Sequence, residues 1–410
     1  MSVLEPAAQP RTTWRRVAAD LRPVHAANGL IGFIFAATGP VAVILAVGTQ
    51  GGLSQAELAS WIFGSFFFNG LLSLLACWLY RQPLVFFWTI PGTVLVGPAL
   101  VHLSFAEVIG AYLVTGALML ALGASGLVRR AMQSVPMPIV MGMVAGVFLR
   151  FGVDLVQALH GDPWITLPML AVFLGLSAWA AGARRLPPVL GALLAGTLAV
   201  WASGRFDPGP MGATLWAQPV LQWPVWSWRA MVELVVPLAI TVLVVQNGQG
   251  VAVLKSAGHA APINAVTMGC GLWSTAVACV GTVSTCLTGP VNAILCAGGE
   301  RHRHYTGGLV VGVLALAFGA VAPLFTGAML AAPAAFVAAL AGLAMLRVLQ
   351  AAFVTAFGGG RFTLGALVAF TVTVADLGWF NIGAPFWGLV AGLAVAGLLE
   401  RADFRSATAS

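Results

Sequence analysis

The sequence predicts an all-α polytopic membrane protein: fourteen transmembrane segments arranged as two inverted repeats of seven. Three observations carry this. Of 410 residues, 60% are hydrophobic and only 8% charged, against about 25% charged in a soluble domain. The apolar runs are apolar on every face and roughly 16–22 residues long, which suits helices that cross a bilayer; the strands of a membrane barrel would alternate apolar and polar residues. Finally, the chain echoes itself. Pro188-Val189-Leu190-Gly191-Ala192 returns as Pro385-Phe386-Trp387-Gly388-Leu389, Val96-Gly97-Pro98 as Thr288-Gly289-Pro290, and Ala145-Gly146-Val147 as Ala341-Gly342-Leu343. A two-copy unit in so apolar a chain points to a transporter with its site where the copies meet.

The first copy, residues 28–203, holds apolar segments at 28–49, 58–79, 84–101, 105–123, 136–158, 165–182 and 187–203 (spans 1–7). The second, residues 230–399, holds 230–248, 262–281, 282–297, 306–325, 328–346, 362–378 and 384–399 (spans 8–14). An odd number of spans per copy makes the second enter the membrane from the opposite side. Charge agrees. With residues 1–27 and 400–410 as cytoplasmic tails, the inner segments carry Arg11, Arg15, Arg16, Arg22, Arg81, Arg129, Arg130, Arg184, Arg185, Lys255, Arg301, Arg303, Arg347, Arg361, Arg401 and Arg405. The outer loops carry only Arg205 and Arg229, as the positive-inside rule requires. These features place a multi-pass protein in a bacterial-type cytoplasmic (inner) membrane with both termini inside. The long external linker 204–229 holds Trp216, Trp223, Trp226 and Trp228, expected at the headgroup level as an aromatic belt.

The net charge of +7 includes a single lysine, Lys255. The basic residues sit in short loops, where they orient the protein and do not form a nucleic-acid surface. No GxxxxGK[ST] loop, HExxH or CxxC occurs, and the five cysteines fall within apolar runs, so no disulfide framework, metal site or cofactor is expected. The N-terminal arginines lead directly into a full-length apolar segment, so no cleaved leader is expected.

Two segments are expected to be broken. In span 3, Phe87-Trp88-Thr89-Ile90-Pro91-Gly92-Thr93 interrupts a β-branched and aromatic start with Pro-Gly. In span 10, Thr282-Val283-Ser284-Thr285-Cys286-Leu287-Thr288-Gly289-Pro290 starts in the same way and offers Ser284 and Thr285 as helix N-caps. Each should be a short extended piece followed by a half-helix. Extended backbone at membrane depth is tolerated only where protein or a water-filled cavity satisfies it. Two facing half-helix N-termini make an anion site. Span 8 ends in Gln246-Asn247, adjacent carboxamides that are costly in a membrane interior unless bonded. They either meet a ligand or satisfy the broken backbone of spans 3 and 10.

At these residues the chain resembles the benzoate:proton symporter family, within the larger group that includes nucleobase and sulfate permeases. The resemblance covers nearly the whole chain and is carried by Trp88-Thr89-Ile90-Pro91-Gly92, Ala145-Gly146-Val147-Phe148-Leu149-Arg150-Phe151-Gly152 and Gln246-Asn247-Gly248-Gln249-Gly250-Val251-Ala252-Val253-Leu254. It implies a core domain (spans 1–4 and 8–11) moving against a gate domain (spans 5–7 and 12–14), with substrate between the half-helices near spans 1 and 8, and a possible homodimer. Two departures stand out. No histidine opens span 10, where the stretch reads Gly281-Thr282-Val283-Ser284, and Gln246 stands where nucleobase permeases carry a glutamate.

The leading expectation is secondary active import of a small aromatic carboxylate with a proton. The substrate site is expected at Phe35, Thr38, Phe87, Trp88, Thr89, Gly92, Thr93, Gln246, Asn247, Ser284, Thr285 and Thr288, with Phe87 and Trp88 able to stack on a ring. Arg150 and Asp154 are expected to pair one turn apart, and Arg347 to reach the inner surface. Glu107, Glu233 and Asp376 fall near outer span ends, and the six histidines in loops or at span ends. Two other transport readings share the fold: a nucleobase or inorganic-anion permease, and a passive anion channel, which would not accumulate its solute against a gradient. A membrane enzyme would need a catalytic dyad or metal cluster within the spans, and none is visible.

Overall fold

The computed structural model describes residues 4–7, 12–128, 136–179, 186–207, 214–377, 379 and 383–407. Arg11, Arg129, Arg130, Arg184 and Arg185, counted above for orientation, lie outside them. The regular secondary structure among the described residues is helical apart from one two-stranded ribbon. Six helices are long and apolar enough to cross a membrane: Pro23–Gln50, Gln55–Tyr80, Phe105–Ser125, Met137–Gly161, Trp228–Ser256 and Ala334–Phe357. Shorter apolar helices (Ile90–Leu100, Pro163–Ala178, Pro188–Ala202, Thr363–Ala375 and Ala384–Leu399) pack among them. Each of the fourteen sequence segments overlaps at least one of the observed helices.

Local chemistry explains the breaks. The first long helix is notched at Thr38, whose hydroxyl bonds back to the Ile34 and Phe35 carbonyls just before Pro40. Ala322–Leu330 bends by 65° from Arg301–Ala320, and Pro333 caps the next helix. Span 12 is therefore Ala334–Phe357, displaced toward the C-terminus from the 328–346 read by hydropathy. Proline can start a helix but cannot continue one, and the 328–346 window ran across Pro333.

Helices approach closely where glycine removes the side chain. Gly116 on Phe105–Ser125 and Gly271 on Ile263–Ala278 face one another, and a Cβ on Gly271 would collide with the Leu120 backbone. Such contacts replace the hydrophobic driving force that lipid does not supply. The described part of the 204–229 linker is extended and pinned by its backbone. Ala217 N–H donates to Ala320 O, Gln222 N–H to Cys279 O and Val225 N–H to Ala106 O. Its four tryptophans are all exposed.

Candidate substrate site

The ribbon sits at the centre of the molecule. β1 (Phe86–Trp88) pairs antiparallel with β2 (Thr285–Leu287), Phe87 opposite Cys286, and all six residues are buried. The hydrogen bonding is nearly symmetric about that pair. Thr89 N–H donates to Ser284 O at 3.0 Å, and Thr288 N–H to Val85 O at 3.1 Å. The outward groups are met by lone polar side chains on neighbouring helices. Ser73 Oγ accepts from Phe86 N–H at 2.8 Å, and Ser274 Oγ from Thr285 N–H at 2.9 Å. Asn292 brackets Val85, and Asn247 Oδ1 takes Leu287 N–H at 2.7 Å. This is how a stretch of strand survives in an apolar interior, where an orphaned backbone group is costly.

Each strand leads into a half-helix, Ile90–Leu100 or Gly289–Cys296, with a threonine N-cap and proline two residues beyond it. The expected N-caps Ser284 and Thr285 are corrected here. Pairing with β1 keeps residues 285–287 extended, and the second half-helix starts at Gly289 behind Thr288. The two caps then differ in use. Thr89 Oγ1 accepts from Gly92 N–H at 3.1 Å and meets Thr241 Oγ1 at 3.2 Å. Thr288 makes no side-chain cap bond. Pro91 and Pro290 each remove one backbone donor from the half-helix mouths, which therefore offer fewer free N–H groups than two ordinary helix ends would.

In front of the half-helices is a small space of about 20 Å³, bounded by Phe35, Phe87, Trp88, Gln246, Thr288 and Pro290. That is room for about one water molecule. It shares Phe35, Pro40, Ile90, Gln246 and Pro290 with a cavity of about 800 Å³, within the range of small-molecule sites. One wall of this cavity comes from spans 1, 3, 8 and 10 (Thr38, Ile90, Pro91, Gln249, Pro290), the other from spans 5, 6, 7 and 12 (Met141, Phe148, Phe173, Val189, Arg347). The lining is apolar with few polar groups.

The twelve residues named from sequence therefore separate. Phe35, Thr38, Phe87, Trp88, Gln246 and Thr288 line these spaces. Trp88 carries an indole N–H with no protein partner, and Gln246 lines both spaces. Thr89, Gly92, Thr93, Asn247, Ser284 and Thr285 stand behind this surface. Thr93 bonds back to the Thr89 carbonyl, Thr285 Oγ1 donates to Asn69 Oδ1 at 2.7 Å, and Asn247 is spent on the ribbon. Gln246 and Asn247 close a π-helical stretch, Thr241–Asn247, and as successive helical residues their side chains face different neighbours.

Sequence reading missed Arg347 as a cavity residue. Its helix runs on to Phe357, so the guanidinium lies along the cavity wall, donating to Gln350 Oε1 at 3.1 Å. It also missed Ser73, Ser274 and Asn292; a single polar residue in an otherwise apolar span was the available signal. Arg150 is exposed and outside the cavity lining. Glu233 is buried at the opposite end of span 8, 2.9 Å from His102 Nε2, and also accepts the Gly383 N–H that opens span 14. Burial, His304 and Arg301 pull His259, in the loop after span 8, down to a pKa of about 4.

Comparison with known proteins bears on this arrangement. A family model described as benzoate membrane transport protein matches residues 19–398. Inner membrane protein YdcO of Escherichia coli is 29% identical over 371 residues, covering 89% of this chain and 93% of that protein. A benzoate membrane transport protein of Acinetobacter baylyi is 26% identical over 372 residues, covering 89% and 92%. Among solved structures, the transmembrane domain of the cyanobacterial bicarbonate transporter BicA superposes with a TM-score of 0.60 at 17% identity, covering 93% of this chain and 99% of that one. SLC26A9 gives 0.66 at 15% identity, covering 92% and 64%. At those identities the likeness is one of fold.

Proposed function

This chain belongs to the benzoate membrane transport protein family, and we propose that it imports a small aromatic carboxylate by proton symport. Membership makes it a membrane transporter and not an enzyme; the substrate class and the coupling are our reading. One observation carries it: the only side-chain donors at the mouth of the paired half-helices, Trp88, Gln246 and Thr288, adjoin a large apolar cavity among the described residues. A carboxylate head suits those donors and the half-helix dipoles. An aromatic body suits Phe35, Phe87, Ile90 and the methionine-lined wall. Arg347 supplies a positive field to draw an anion inward.

The same geometry suggests the transport cycle. Spans 1–4 and 8–11 form a core that carries the ribbon, and spans 5–7 and 12–14 form a gate, in a fourteen-span inverted repeat. The matched serines, threonine caps and prolines around the ribbon support that repeat. Glu233 holds His102 and Gly383 together at one end of span 8, and the cavity opens along the other half of that helix. With the orientation read from charge, this is an inward-open state closed outside. The apex of about 20 Å³ is too small for a ring, so the substrate seats fully only when core and gate shift.

Calorimetry on the purified protein against benzoate, an aliphatic acid of similar size, bicarbonate and uracil tests the substrate class. Benzoate should bind at least tenfold more tightly than the others. Preference for bicarbonate or uracil would replace this reading with an inorganic-anion or nucleobase carrier.

A further inference from the structure

Away from the substrate cavity, three elements converge. His259 comes from the loop after span 8, Cys296 ends the second half-helix, and His304 starts span 11. One ligand atom from each lies within 4.8 Å of the other two. His259 Nε2 and His304 Nδ1 are 3.1 Å apart. We propose that these residues form a binding site for a borderline-soft divalent metal of the zinc class, with two imidazoles and one thiolate as ligands.

The donor set fits that class. Zinc takes imidazole nitrogen at about 2.0–2.1 Å and thiolate sulfur at about 2.3 Å, so the two nitrogens already stand at the separation one metal would impose. Bringing the sulfur in requires a closure of roughly 1 Å, within reach of a residue at a helix end. Hard cations that prefer oxygen are disfavoured by the absence of a carboxylate in the triad.

A second observation points the same way. His25 is 2% exposed and neither ring nitrogen has a hydrogen-bond partner; His304 is 4% exposed and its Nε2 is likewise unpartnered. The two rings lie 6.0 Å apart by centroid. A buried imidazole without partners is costly in a metal-free protein. Arg301, which donates to Gly258 O at 2.9 Å, adds a positive charge nearby. The thiolate offsets part of this: binding replaces the Cys296 S–H bond with a sulfur–metal bond and releases the proton to solvent. The metal would clip the loop after span 8 to the half-helix that begins behind Thr288 and to span 11.

The test uses the full-length purified protein after chelator treatment, titrated with Co²⁺ and then Zn²⁺. One equivalent of Co²⁺ should give a thiolate-to-cobalt charge-transfer band that Zn²⁺ bleaches. Cys296→Ala should abolish the band and weaken Zn²⁺ binding at least a hundredfold. His259→Asn, in the loop and least disruptive to folding, should weaken it at least tenfold. Cys279→Ser, exposed and remote from the triad, should change nothing. Absence of a band in the parent, or equal Zn²⁺ affinity in the parent, Cys296→Ala and His259→Asn, overturns the site.

Discussion

Two adjacent carboxamides should fail in opposite ways. Asn247 is 2% exposed, and its Oδ1 is the partner of Leu287 N–H at 2.7 Å. Asn247→Ala leaves that amide unsatisfied in an apolar interior, a cost of about 1–3 kcal/mol, and frees the end of β2 next to the Gly289 half-helix. Gln246 faces the apex beside Trp88 and Thr288, so Gln246→Ala orphans no protein group. Its loss appears only with substrate bound: about 1–3 kcal/mol of one charge-assisted bond, or roughly 5- to 150-fold in Kd. Scanning fluorimetry on the purified variants reads stability, and calorimetry with benzoate reads affinity. Asn247→Ala should melt below the parent; Gln246→Ala should melt with it and bind weakly. A Gln246→Ala protein that binds like the parent, or an Asn247→Ala protein of unchanged stability, refutes the division of roles.

Other substitutions test the neighbouring claims. Thr288→Asp places a carboxylate on the uncommitted cap of the second half-helix, where the dipole favours it; benzoate binding should vanish with the fold intact, while Thr288→Asn should cost less than tenfold, both read by calorimetry. Ser73→Ala and Ser274→Ala each remove the acceptor for one ribbon amide, so each should destabilise by about 1–3 kcal/mol and by similar amounts, checked by thermal unfolding. Arg347→Gln should weaken benzoate binding by about 0.2–1 kcal/mol at low salt, and the difference should shrink as salt is added.

The break in span 3 was legible because Pro91-Gly92 interrupts a β-branched and aromatic run, and that in span 10 because Thr282, Val283, Ser284 and Thr285 open it with β-branched and helix-capping residues. Where the second half-helix starts was not. Thr285, Cys286 and Leu287 have no strong local preference, and their extension comes from pairing with Phe86–Trp88, a contact nearly two hundred residues away in sequence. The division between Gln246 and Asn247 was hidden for a similar reason. Both are plausible ligand contacts by residue type, and only the tertiary contacts show that Leu287 takes Asn247 while Gln246 lines the opening. Arg347 looked like a boundary because a charge ends the apolar run there, yet its helix continues to Phe357 with Arg347 on the cavity lining. Six of the twelve expected residues thus line the spaces before the half-helices, and the other six lie behind them.

Uptake of radiolabelled benzoate into proteoliposomes, with and without an imposed proton gradient, tests the central claim most directly. Proton symport predicts saturable accumulation above the external concentration when the outside is acidic, abolished by a protonophore and reduced in Gln246→Ala. Uptake that never exceeds equilibrium, or that ignores the gradient and the substitution alike, would contradict it and favour a passive channel or another substrate.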